Sequence, residues 1–117
     1  FEEINIIGID DNIDNNTKNN FVNNFLDNSK LNLLLIHKPS LWNNVKDRID
    51  LMFSGHTHNG QIFPFNFFVR LQFKQKYGLY SSDKSNLYVT SGAACWGPRM
   101  RLGTNNEIIY INLLNKN

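Results

Sequence analysis

The chain has 117 residues, of which 41% are hydrophobic and 19% charged, and a net charge of +2. That length holds one domain around one modest core and excludes two. The small, scattered charge argues against nucleic acid or an anionic membrane surface as the main partner. The one cysteine, Cys95, excludes an internal disulfide or a cysteine-rich zinc site.

The first residue is Phe1, and an apolar run begins at Ile4. N-termini rarely start inside a strand pattern, so the chain is expected to be a piece of something longer. It carries no signal-peptide pattern and no apolar stretch of membrane-spanning length. Residues 4–9 predict a strand ending in a turn, where Asp10, Asp11 and Asp14 read as turn residues. Residues 17–28 predict a helix with Phe21, Val22, Phe25 and Leu26 inside and Lys18, Asn19, Asn20 and Asn24 in solvent. Residues 31–36 are nearly continuously apolar and predict a strand buried on both faces, stopped at His37 and Pro39. Ser40 is placed to cap a helix whose inner face is Leu41, Trp42, Val45 and Ile49. Residues 50–54 predict the next strand, stopping at Gly55. This alternation is the α/β pattern.

Beyond Gly60 the pattern changes. Residues 62–69 are rich in phenylalanine and predict no definite local structure; core packing or a lid is the first reading, contact with an acyl chain or bilayer surface the second. Strands are expected at residues 78–80, 87–91 and 107–114, with a glycine-containing loop at 92–105. Cys95 reads as a small buried residue, and Trp96 as either cleft wall or packing.

All three histidines, His37, His56 and His58, follow predicted strand ends, where open α/β sheets bind ligands. Gly55 would let the chain turn there without a Cβ clash. Neutral imidazole suits transition-metal ions, and two histidines one residue apart on a tight loop can reach ions about 3.5–4 Å apart. A lone strand-end histidine is more often a satisfied polar residue, so the surrounding string decides.

That string is Leu33-Leu34-Leu35-Ile36-His37-Lys38-Pro39, then Asp50-Leu51-Met52-Phe53-Ser54-Gly55-His56-Thr57-His58-Asn59-Gly60-Gln61. It resembles the last two motifs of the calcineurin-like metallophosphoesterases. Gly8-Ile9-Asp10-Asp11, Leu87-Tyr88-Val89-Thr90-Ser91-Gly92 and Arg99-Met100-Arg101-Leu102-Gly103 are similar to segments of one bacterial, often membrane-anchored branch, in the same order. The resemblance implies an α/β fold: the C-terminal half of a two-sheet sandwich, with mixed β-sheets flanked by helices. Residues 1–117 would then be the C-terminal portion of a single domain whose N-terminal metal-binding half is absent. It also implies hydrolysis of a phosphomonoester, phosphodiester or pyrophosphate with two divalent ions (Mn, Fe or Zn), His37 and His56 holding one and His58 the other. Asn59 stands where many members have Gly.

The family's earlier Asp, His and Asn-His motifs have no counterpart before Ile4. The catalytic set is therefore incomplete, and the chain alone is expected to bind metal weakly and to be inactive. Arg99 and Arg101 suit bidentate phosphate contact, and Gln61 suits a cleft-facing position, each with a structural or solvated role as its alternative. The implied partners are a phosphate-ester substrate, lipid-linked forms included, the missing N-terminal half, and a second copy through uncovered sheet. A non-catalytic binding or assembly module stays open beside the enzyme. The parent is expected at a membrane through a segment outside this soluble chain.

Overall fold

The computed structural model describes residues 3–114. Strands β1 (Ile4–Ile9), β2 (Leu31–Ile36), β3 (Leu51–Ser54), β4 (Gly78–Ser81) and β5 (Asn86–Val89) form one mixed sheet in the order β1-β2-β3-β5-β4. The first three and β5 run parallel, and β4 is antiparallel to β5 at the edge. Parallel neighbours need a crossover. Helix α1 (Asn15–Phe25) supplies the first, and a 3-10 turn (Pro39–Leu41) running into the short α2 (Trp42–Val45) supplies the second.

Both crossovers cover the same sheet face. Val22 of α1 and Leu41, Trp42 and Val45 around α2 meet Leu34, Met52 and Leu87 from the strands, all buried. A strand alternates its side chains between faces, so the opposite face carries Ile4, Ile6, Leu33, Leu35, Leu51, Phe53 and Leu79, of which four are exposed. The expectation that β2 is covered on both sides is thus corrected: its burial alternates, because α1 and α2 both pack on one face. The mixed α/β expectation holds, with the described residues forming a single sheet.

Local corrections have local causes. Helix α1 starts at Asn15 because the Asp14 carboxylate accepts from the backbone N–H of Asn16 and Thr17, at 2.9 and 3.1 Å. Lys18, expected in solvent, is buried: its ammonium donates to the Asp11 carbonyl at 3.0 Å, where the β1 turn folds beneath the helix. Phe25 lies 56% exposed and pairs with Phe21, so the helix buries a narrower stripe than its apolar pattern suggests. Ser40 caps nothing; Pro39 sits in the first turn and a 3-10 segment begins there instead. Residues 62–69 contribute most of α3 (Phe65–Gln72). Residues 107–114 make no ladder, although the Glu107 N–H reaches the Gly92 carbonyl at 3.0 Å.

Candidate functional site

Because β2 and β3 are adjacent and parallel, their carboxyl ends emerge at the same edge. His37 follows β2 directly, and His56 comes two residues after β3. The Gly55 N–H donates to the His37 carbonyl at 3.0 Å, which carries the pairing one step past the strands. His37 Nε2 and His56 Nδ1 then face each other at 2.8 Å, with the rings at 78°. Two N–H groups cannot face at that distance, so at least one nitrogen presents a lone pair.

The loop beyond is locally strained. His56, His58, Asn59 and Gln61 all have positive φ, between 43° and 68°. Such residues cost roughly 1–3 kcal/mol each and persist only where the surroundings over-determine them, least for Asn59, whose side-chain type tolerates this region. Contacts from several segments hold the loop. Thr57 Oγ1 donates to the Lys76 carbonyl at 2.6 Å. The Gln61 amide donates to the Trp96 carbonyl at 2.7 Å and accepts from the Trp96 N–H at 2.6 Å. Gly60, at φ 80°, lies against α3 so closely that an added Cβ would come within 2.1 Å of Asn66 Cα. Gly60 is therefore the glycine the turn requires. Gly55, singled out for that role in the sequence, would place a Cβ at an ordinary 3.6 Å from Thr90.

Burial, then the neighbouring His37, holds His56 below the usual imidazole range. Burial, then the Arg101 guanidinium, does the same for His58. Both shifts favour the neutral, ligating form. Asp11 is tied to Lys38 at 2.8 Å and Lys18 at 3.4 Å; Lys38 chiefly holds its carboxyl below the usual range. This bridge anchors the ends of β1 and β2 beside His37, so Asp11 has a structural partner, while Asp14 and Asp10 serve as cap and turn residues.

The expected phosphate-binding residues divide. Arg101 donates to the carbonyls of Ser91 and Ala94 at 2.6 Å, of His58 at 3.0 Å, and to the Asn106 side chain at 2.6 Å. Its guanidinium is spent on holding the late loop against His58. Gln61 is buried, with both ends of its amide bonded to the backbone around Trp96. These two make the structural contacts that stood as the alternative reading. Arg99 is exposed.

A cavity of about 620 Å³ opens over the loop, with all three histidines in its wall. Its other wall is aromatic: Phe65, Phe68 and Phe73, with Trp96 at the rim. The Phe73 ring stands edge-on to His56 at 5.5 Å. Phe73 and Thr57 were not legible as site residues in the sequence, since neither type marks a site and each acts through a contact distant in the chain.

The imidazole pair brings two ring nitrogens of a type that ligates divalent ions to one place. A ligand shell does not close: among the described residues no group of three or more His, Cys, Asp or Glu is placed to hold an ion. His58 shares the cavity wall with the pair, its Nδ1 at 3.4 Å from Arg101 Nη2.

Known proteins supply the frame for this geometry. Over 91 residues, 75% of this chain, it is 48% identical to an uncharacterized metallophosphoesterase of Campylobacter jejuni, of which it covers 24%. It is 46% identical over 93 residues, 77% of the chain, to an uncharacterized metallophosphoesterase of Helicobacter pylori strain J99, covering 25% of it. The chain belongs to the calcineurin-like metallophosphoesterase family. Over 85 residues, 69% of the chain, it is also 39% identical to a bovine transmembrane protein with metallophosphoesterase domain, covering 19% of that protein. The chain thus spans about a quarter or less of the length of these relatives. No family model and no solved structure matches it. Membership of this metallophosphoesterase family implies the use of divalent metal. Among the described residues no helix is long and apolar enough to cross a membrane.

Proposed function

We propose that this chain is the C-terminal portion of a metallophosphoesterase domain that hydrolyses a phosphate ester, and that it supplies histidine ligands to a dinuclear centre. The observation that carries this is the pair His37 and His56, facing at 2.8 Å where two neighbouring parallel strands end. In this reading His37 and His56 serve one ion and His58 the other. Such ions, when bound, supply Lewis-acid activation of water and neutralise charge on the phosphoryl oxygens. The chain's own part is to favour the neutral form of His56 and His58 by burial, in a loop whose strained backbone keeps these two beside His37 at the strand ends. Three imidazoles carry no negative charge to hold two divalent cations together. The carboxylates that complete the set are proposed to come from a segment outside the described residues, and the isolated chain is proposed to be inactive.

The test is complementation. The chain is mixed with the preceding part of the phosphoesterase domain of the Campylobacter relative, and manganese-dependent hydrolysis of bis(p-nitrophenyl) phosphate is measured. Activity in the mixture, absent from either piece and lost with His56→Ala, is the expected result. Stable pairing without activity would favour a non-catalytic assembly module. Turnover by the 117-residue chain alone would overturn the assignment of an incomplete site.

A further inference from the structure

The cavity over the histidines has a second half that phosphate chemistry does not use. Helix α3 presents Phe65, Phe68, Val69 and Gln72 to it, at the i, i+3, i+4 and i+7 spacing of a single helical face. In a globular domain that stripe normally enters the core. Here no residue of α3 is buried, and Phe65 and Phe68 remain 63% and 59% exposed. Nor is the helix loosely attached: Gly60 lets its backbone rest directly on the histidine loop, and Phe73 at its end stands against His56. The apolar wall is therefore held at a set distance from the imidazoles, within one cavity of about 620 Å³. That volume is of the size that encloses a small organic ligand.

We infer that the α3 wall is a binding site for the apolar arm of the substrate, and that the natural ligand is an amphiphilic phosphate ester. Its phosphate lies at the histidines and its alkyl or acyl chain along Phe65, Phe68 and Phe73. This rests on the phosphoesterase reading for the phosphate end and on the aromatic wall alone for the chain end. The two ends can therefore fail separately.

The experiment is calorimetric titration of the full chain with hexyl, octyl and decyl phosphate, each below its critical micelle concentration. Burial of the chain predicts affinity rising about two- to fourfold per added methylene, near the value for transfer out of water. Phe65→Ser with Phe68→Ser should flatten that dependence. Both side chains are more than half exposed, so the fold should survive, which thermal unfolding checks. Phe67→Ser, which removes an exposed phenylalanine that does not line the cavity, should leave the dependence intact and supports the assignment. No chain-length dependence in the unaltered protein overturns the inference, as does a dependence unchanged in the double variant. Binding to phosphatidylglycerol vesicles without binding of monomeric alkyl phosphates also overturns it, making α3 a membrane-docking element. With His56→Ala, an intact chain-length dependence at unchanged affinity supports the apolar site and counts instead against phosphate recognition by the histidines.

Discussion

Asn32, a polar residue inside an otherwise apolar strand, ties together the amino-terminal edge of the sheet. Its side-chain carbonyl accepts from Asn5 at 2.8 Å and from the Asp27 N–H at 3.0 Å, while its amide donates to the Asp27 carbonyl at 2.9 Å. Buried groups left without partners carry their full desolvation cost. Asn32→Ala is therefore expected to lower stability by about 2–3 kcal/mol in urea denaturation, several times the cost of an ordinary surface change. A second residue-scale expectation concerns alkaline pH. The Tyr77 hydroxyl donates to Glu107 at 2.6 Å, and that carboxylate pushes the phenol up to about 12. A phenol raised above its unfolded value near 10 favours the folded state below that pH. The contribution is lost as pH rises from about 10 through about 12. Absorbance titration should show late-titrating tyrosine signal that is reduced in Tyr77→Phe, with Tyr88, raised chiefly by its burial, remaining, and the variant's stability should fall less steeply across that window.

At the scale of elements, the histidine loop and α3 behave as one unit. Gly60 combines a positive φ with a close approach to Asn66, two demands that no other residue type meets. Gly60→Ala is expected to cost more than about 1 kcal/mol and to loosen α3 from the loop, read as faster amide exchange over residues 65–72. Gly8→Ala is the control: nothing lies within 4 Å of its added Cβ, and stability should hold or rise slightly. The aromatic composition of residues 62–69 marked this segment in the sequence, but not its form. Its helix buries no residue and is placed by one glycine on a neighbouring turn, and phenylalanines at 63, 65, 67 and 68 on all sides mask the single-face stripe.

For the whole molecule, the one-sided sheet is the dominant fact. Ile4, Ile6, Leu35 and Leu79 are 50%, 62%, 41% and 64% exposed on the face away from the helices. Contiguous apolar surface of this kind marks an interface. The isolated chain is proposed to self-associate through it until another segment of the domain takes its place. Ile6→Lys with Leu35→Lys should shift the species in analytical ultracentrifugation toward monomer without loss of helix signal. A monomer in the unaltered protein at high concentration would refute this. By itself the sequence determined the order of strands and crossovers through residue 54 and the two loops that carry the histidines, because apolar runs and turn residues are local signals. It also determined the family, through a string around those histidines too specific to arise from packing alone. Only the tertiary structure gave the geometry of the His37–His56 pair that the resemblance implied, with ring nitrogens facing at 2.8 Å. Only there do Arg101 and Gln61 become struts, Lys18 lie buried, and residues 107–114 form no strand. Each depends on which partner a side chain or backbone group finds across tens of residues, and such pairings leave no periodic trace along the chain.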